Sequence, residues 1–202
     1  QTGGAFGNIM GPLLGGVLSY YLGIQQTLLL AGMMLFAATA VVIVGVRETA
    51  AKDVDKQVDL VGDLRITFSN SVLVMMLFTL MLFQCSVSLL QPILPIFIKE
   101  ISTLADSSIA TGIIFSLVGI ATVIGAPYWG RRGEATGYKP VLIIGLIGAA
   151  ILSLLHAFAS SLWLLGGLRF VFGLFLAALM PACNALIART VTPEFRGRAF
   201  GF

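Results

Sequence analysis

The sequence predicts an all-α protein that crosses a membrane several times. Of its 202 residues, 58% are hydrophobic and 10% are charged, whereas a soluble domain carries about a quarter charged residues. A membrane-spanning helix needs roughly 20 predominantly apolar residues. Six stretches of this kind occur, at residues 2–22, 24–46, 72–98, 108–129, 140–158 and 162–187, and a seventh begins near Ala199.

The first stretch carries a glycine at every fourth position: Gly3, Gly7, Gly11 and Gly15. Residues four apart share one face of a helix, and a face without side chains lets a second backbone approach closely in lipid. Pro12 removes a backbone donor and leaves the Asn8 carbonyl without its helical partner, so a kink is predicted. These features predict a bent helix at a moving seam. The fourth stretch has small residues that can receive the glycine face: Gly112, Ser116 and Gly119.

The basic residues indicate how the chain is oriented. Most of the twelve Lys and Arg residues lie in three alternate connections, namely residues 47–71, the segment after Trp129 and the segment after Ile187. Short loops rich in Lys and Arg stay in the cytoplasm, so both visible ends are predicted to be cytoplasmic. The polar segment 47–71 is compatible with an amphipathic surface helix and equally with a solvated linker. It separates two predicted helices from at least four.

The third stretch carries three polar side chains on one helical face: Gln84, Ser88 and Gln91. Facing lipid, these side chains would be costly. They are predicted either to line a cavity or to form hydrogen bonds with neighbouring helices.

Arg169 is the exception among the charged residues, because it lies inside the sixth stretch. A central arginine costs roughly 2.5–3.5 kcal/mol on insertion scales, so this side chain is predicted to point into the helix bundle or a wet cavity. The same face continues through four further residues: Gly173, Ala177, Met180 and Asn184. Two interpretations stay open. Arg169 either binds substrate or acts on a neighbouring acid, or it is a structural arginine that bonds helix-end carbonyls.

Nothing in the sequence predicts catalysis, a cofactor or a metal site. The HExxH, GxSxG and GxxxxGK[ST] motifs are absent, and the single histidine, His156, has no acidic residue in its stretch. All nine Asp and Glu residues lie outside the apolar stretches or at their edges. A proton-binding carboxylate is therefore expected elsewhere in a longer protein. The formal net charge of +3 reflects the basic connections and does not predict nucleic-acid binding.

Residues 7–16, GNIMGPLLGG, resemble the GxxxGPxxGG antiporter motif of the major facilitator superfamily of transporters. In that family the motif marks the fifth helix of drug:proton antiporters. The matching positions are Gly7, Gly11, Pro12, Gly15 and Gly16.

Other segments resemble the same family. Residues 130–139, GRRGEATGYK, are similar to its cytoplasmic loop motif GxxxDRxGRK, although Ala135 and Tyr138 replace expected residues. The matching positions are Gly130, Glu134, Gly137 and Lys139. Residues 192–201 are similar to the loop before the eleventh helix, and Arg169 with Gly173 is similar to the RxxxG pattern of the fourth and tenth helices.

The resemblance implies a partial major facilitator superfamily bundle that contains helices five to ten. Residues 1–46 would be the last two helices of the N-terminal half, residues 47–71 the central cytoplasmic loop, and residues 72–202 the first four helices of the C-terminal half and the start of the next. The implied whole has two six-helix halves that rock around one cavity in alternating access.

The closest likeness is to bacterial multidrug exporters in the plasma (inner) membrane. The implied function is proton-coupled efflux of amphipathic drugs or toxic compounds, and the alternative is transport of a specific metabolite such as a sugar or amino-acid derivative. The expected partners are the lipid bilayer, a small-molecule substrate and protons. The candidate residues of the substrate cavity are Gln84, Ser88, Gln91, Arg169 and Asn184.

Overall fold

The structure is a computed structural model of the chain, and it describes residues 2–45, 68–102 and 107–190. Within these ranges it contains six long α-helices and no strand. They are α1 (Thr2–Leu22), α2 (Ile24–Gly45), α3 (Ser71–Ile101), α4 (Ser107–Thr136), α5 (Tyr138–His156) and α6 (Leu162–Thr190). The predicted all-α fold is confirmed.

Five of these helices, α2 to α6, are long and apolar enough to cross a membrane. The first helix, α1, has 21 residues but is not among them. Its glycines, together with Asn8 and Pro12, take the place of apolar side chains and lower its hydropathy. Length and composition thus confirm five of the six predicted spans, and the crossing by α1 stays a prediction.

Local sequence signals set several helix ends. The Asn70 side chain caps α3, because its oxygen accepts hydrogen bonds from the backbone N–H groups of Val72 and Leu73. Gly137 has a φ of +91°, which favours glycine, and it separates α4 from α5. The prediction that a loop follows Trp129 is therefore wrong for most of that segment, since α4 continues to Thr136.

The helices pack around α4, which has α1 on one side and α6 on the other. Helix α5 packs against α6, and α3 makes sparser contacts with α4 and α6. Helix α2 packs on α1 and has no buried residue. The core therefore lies among α4, α5 and α6, where buried residues such as Trp129, Ala178 and Leu179 form one cluster.

Helices α4 and α6 approach closely because each carries a glycine at their interface, Gly125 on α4 and Gly173 on α6. A Cβ added to Gly173 would lie 2.7 Å from the Val118 carbonyl oxygen and 2.8 Å from the Ala121 Cβ. Trp129 Nε1 donates a hydrogen bond of 2.7 Å to the Leu174 carbonyl across the same interface. This interface places α6, and Arg169 on it, in a defined position relative to α4.

Three sequence predictions fall outside the described residues. They concern the central segment as far as residue 67, the motif at residues 192–201 and the apolar stretch that begins near Ala199.

Candidate functional site

The main contact between residues 2–45 and the later helices is that of α1 with α4. A Cβ added to Gly16 would lie 2.7 Å from the Ser108 carbonyl oxygen and 3.0 Å from the Gly112 Cα. A Cβ added to Gly112 would lie 2.5 Å from the Pro12 carbonyl oxygen. Even weakly attractive carbon–oxygen contacts run at about 3.3–3.6 Å. The two backbones therefore touch directly, and both positions require glycine.

Polar backbone atoms beside Pro12 also face α4. Ser116 Oγ lies 2.7 Å from the Ile9 carbonyl oxygen of α1 and 2.8 Å from the Gly112 carbonyl oxygen of its own helix, and its single proton is shared between these two acceptors. A Cβ added to Gly119 would lie 3.0 Å from the Asn8 carbonyl oxygen, which has no helical donor because Pro12 lacks an N–H. The three small α4 positions that were predicted to receive α1 all lie at this contact: Gly112, Ser116 and Gly119.

The glycine stripe of α1 does not make this contact. A Cβ added at any of its four positions would have no neighbour among the described residues within 4 Å: Gly3, Gly7, Gly11 and Gly15. The prediction that this stripe packs against α4 is therefore wrong. Successive residues are turned by about 100° around a helix, and the contact runs along the adjacent face through Pro12 and Gly16. Of the five positions that match the antiporter motif, Pro12 and Gly16 lie at the α1–α4 contact, beside the Asn8 and Ile9 carbonyls, and the other three do not among the described residues.

A cavity of about 390 Å³ opens where α1, α3 and α4 meet. Its wall includes Pro12 and Gly16 of α1, Pro95 of α3, and Thr111 and Phe115 of α4. The α1–α4 contact thus borders open space on its α3 side, and the ring of Phe115 forms part of that wall.

Arg169 is buried inside the bundle, with 5% of its surface exposed. Its Cζ lies 5.6 Å from the ring centroid of Phe115 on α4 and 5.7 Å from that of Phe172 on α6. Cation–π interactions contribute about 0.5–2 kcal/mol each. Arg169 Nε and Nη2 are buried without a hydrogen-bond partner among the described residues, and an unsatisfied buried donor costs about 1–3 kcal/mol. These two nitrogens therefore do not bond helix-end carbonyls of the described residues, as the structural interpretation of Arg169 would require.

His156 is a second buried polar side chain next to Phe172. The His156 and Phe172 rings pack edge to face with their centroids 5.6 Å apart. His156 Nδ1 lies 2.5 Å from the Leu152 carbonyl oxygen, which assigns the ring proton to Nδ1, while Nε2 has no partner among the described residues. Sequence reasoning missed this arrangement because Arg169, Phe115 and His156 lie on three different helices. Phe172, three residues after Arg169, was the only local signal.

The other α6 residues predicted to share the Arg169 face do not form one cavity surface. Gly173 and Ala177 are buried against α4, where Ala177 Cβ lies 2.9 Å from the place of a Cβ on Gly125. Met180 and Asn184 are exposed. Gly173 and Ala177 therefore face the bundle, which is one of the two predicted surroundings of this face, whereas Met180 and Asn184 do not pack into the described bundle.

The polar face of α3 points away from the described core. All three of its predicted cavity residues are exposed: Gln84, Ser88 and Gln91. A cavity of about 520 Å³ lies between α3, α5 and α6, but the neighbouring face of α3 lines it, with Thr79, Phe83 and Ser86, together with Phe172 of α6. The three predicted residues line neither this cavity nor that between α1, α3 and α4.

The residues of the loop-like motif lie at the end of α4 and the start of α5. Gly130 and Glu134 belong to the last turns of α4, Gly137 forms the turn, and Lys139 is exposed in the first turn of α5. Elsewhere in the described ranges, no group of three or more His, Cys, Asp or Glu side chains is placed to hold a metal ion.

The sequence matches the profile of one protein family and is similar to several named proteins. The sequence profile of the Major Facilitator Superfamily matches residues 76–202. A relative from Proteus mirabilis (strain HI4320), named multidrug resistance protein MdtG, is 33% identical over 205 residues, which cover 100% of this chain and 51% of the relative. Proteins of the same name from Enterobacter lignolyticus (strain SCF1) and Salmonella paratyphi C (strain RKS4594) are each 29% identical over 204 residues; these cover 100% of this chain and 49% and 50% of the relatives.

The chain spans about half the length of the curated relatives it matches. The described ranges contain helices and no strand, and five of these helices are long and apolar enough to cross a membrane. The profile match extends over more than half of the chain. The chain is therefore part of a multi-pass membrane protein and belongs to the Major Facilitator Superfamily.

Proposed function

We propose that the protein containing this chain is a secondary active transporter that exports amphipathic drugs or toxic compounds in exchange for protons. The relatives named multidrug resistance protein support an export function. The antiporter-like segment at residues 7–16 supports exchange. Because the chain spans about half of those relatives, the proposal concerns the whole protein.

The observation that carries this proposal is the direct backbone contact between α1 and α4. We assign α1 to the N-terminal half of the transporter and α4 to the C-terminal half. In alternating access the two halves rock around the site between them. Lipid supplies no hydrophobic drive for helix association, so van der Waals packing decides which helices stay together. Pro12, Gly16 and Gly112 supply that packing between the halves.

We assign the substrate cavity to polar side chains that the described helices leave exposed: Gln84, Ser88, Gln91 and Asn184. Polar groups facing hydrocarbon are costly, so these side chains face the part of the transporter that completes the cavity. Arg169 supplies a positive charge within the C-terminal half, close to the two cavities bordered by Phe115 and Phe172.

We assign the turn between α4 and α5 to the cytoplasmic side of the inner membrane. Arg131, Arg132 and Lys139 are exposed at this turn. The connection between α3 and α4, at the other end of α4, is preceded by a single basic residue, Lys99. Short basic connections remain in the cytoplasm. The same orientation places both visible ends of the chain in the cytoplasm.

Efflux of a cationic amphipathic dye from cells that express the full-length protein tests this function. Cells with the protein are expected to retain less dye than cells with a Gly112→Val variant present at the same level in the membrane. A protonophore is expected to remove the difference. Export that continues undiminished with the protonophore would contradict proton exchange. No dye export, combined with counterflow of a sugar or amino-acid derivative, would favour the metabolite transporter.

A further inference from the structure

The geometry points to a carboxylate as the missing partner of Arg169. This inference rests on the surroundings of one side chain and holds whether or not the protein transports drugs. The two unpartnered nitrogens, Nε and Nη2, form one side edge of the guanidinium, where their N–H bonds run parallel. A carboxylate presents two oxygens at the matching spacing and accepts both hydrogen bonds at once.

The aromatic neighbours of Arg169 do not satisfy that edge. Phe115 and Phe172 interact with the guanidinium at 5.6 and 5.7 Å from Cζ to their ring centroids. A ring attracts the charge through its quadrupole but offers no lone pair to the in-plane N–H groups. A buried charge requires a counter-charge as well as acceptors, and a carboxylate supplies both.

No acidic side chain of the described helices is placed to be this partner. The described acidic residues are Glu100 and Glu134, which are exposed at the ends of α3 and α4. Arg169 lies in the first half of α6, inside the bundle. The carboxylate therefore comes from outside the described residues, either from another part of the full protein or from a bound small molecule.

The two rings beside Arg169 offer a route for that carboxylate. Phe115 borders the cavity of about 390 Å³ between α1, α3 and α4. Phe172 borders the cavity of about 520 Å³ between α3, α5 and α6. Each ring therefore contacts the guanidinium and also lines one of the two cavities. Arg169 thus lies one side chain away from each cavity.

Carboxyl labelling of the full-length protein in lipid nanodiscs tests the inference. Dicyclohexylcarbodiimide modifies protonated carboxyl groups in apolar surroundings, and a carboxylate paired with Arg169 is ionised and protected. In Arg169→Gln the partner loses its counter-charge and becomes protonated. We expect mass spectrometry to find one carboxyl that is labelled at least tenfold faster than in the wild type. Arg131→Gln, at an exposed arginine of α4, is the matched control and is expected to change nothing.

A second measurement identifies a partner that is not part of the protein. If the carboxylate belongs to a small molecule, benzoate is expected to raise the melting temperature of the wild type but not that of Arg169→Gln. Arg169→Lys keeps the charge but loses the fork of donors, and its labelling rate is expected to lie between those of the other two proteins. It carries the test if the Gln variant does not fold. Unchanged labelling in every Arg169 variant that folds, without a benzoate response in the wild type, would overturn the inference.

Discussion

Replacing Gly112 with alanine is expected to force α1 and α4 apart. The new methyl group would start 2.5 Å from the Pro12 carbonyl oxygen and 3.1 Å from the Gly16 Cα. Since a relaxed carbon–oxygen contact is about 3.3–3.6 Å, the helices must separate by about 1 Å. The hydrogen bond from Ser116 to the Ile9 carbonyl, now 2.7 Å, would then lengthen beyond bonding distance.

The expected cost follows from these two changes. Overpacking costs about 1–3 kcal/mol, and a lost hydrogen bond between membrane helices adds about 0.6 kcal/mol. Alanine regains about 1 kcal/mol through its better helix propensity. Gly15→Ala is the matched control, because it gains the same propensity and its methyl meets open space among the described residues. The free energies of unfolding of the two variants should therefore differ by about 1.6–3.6 kcal/mol.

Thermal unfolding of the full-length protein in nanodiscs and dye efflux at matched membrane levels measure this difference. Gly112→Ala is expected to melt at a lower temperature and to export dye more slowly than Gly15→Ala. The backbone contact would be refuted if the two variants had equal melting temperatures and equal efflux rates.

Three further predictions concern the described helices. Gly173→Ala should lower the melting temperature because its methyl would meet the backbone of α4, whereas Gly167→Ala, which has open space, should not; equal temperatures would argue against the α4–α6 packing. Trp129→Phe removes the indole donor to α6 and should cost about 0.6–1.5 kcal/mol, measured as a lower midpoint of unfolding in SDS; an unchanged midpoint would speak against this bond. Gly137→Ala puts a side chain at φ +91° and should cost about 1–3 kcal/mol by the same assay, while Gly130→Ala should cost nothing; equal midpoints would contradict the strained turn.

The sequence correctly predicted that α1 and α4 contact each other, but it did not predict which face of α1 makes the contact. Gly112 and Ser116 were predicted as small positions that receive α1, and they lie against it. The α1 face was assigned to Gly11 and Gly15, but the contact uses Gly16. Small residues occur on two adjacent faces of α1, and their pattern is equally compatible with either face. Only the rotation of α1 about its axis, which packing sets, distinguishes them.

Arg169 shows the same limit for a functional side chain. Its place in an apolar stretch predicted a charge inside the bundle, because hydrocarbon excludes an unpaired arginine. Its contacts with Phe115 of α4, and the approach of His156 to Phe172, depend on residues distant in sequence. No spacing rule links such residues.

By itself, the sequence determined that this protein lies in a lipid bilayer and that its secondary structure is helical. Runs of apolar residues long enough to cross a bilayer must form helices there, because every backbone polar group has to bond within its own segment. Only the tertiary structure decided which surfaces meet, that Gly16 touches Gly112 and that one edge of Arg169 has no acceptor among the described residues. Those outcomes depend on differences of a few tenths of an ångström in the distances between residues that are far apart in sequence. Such distances produce no periodic pattern in a single sequence.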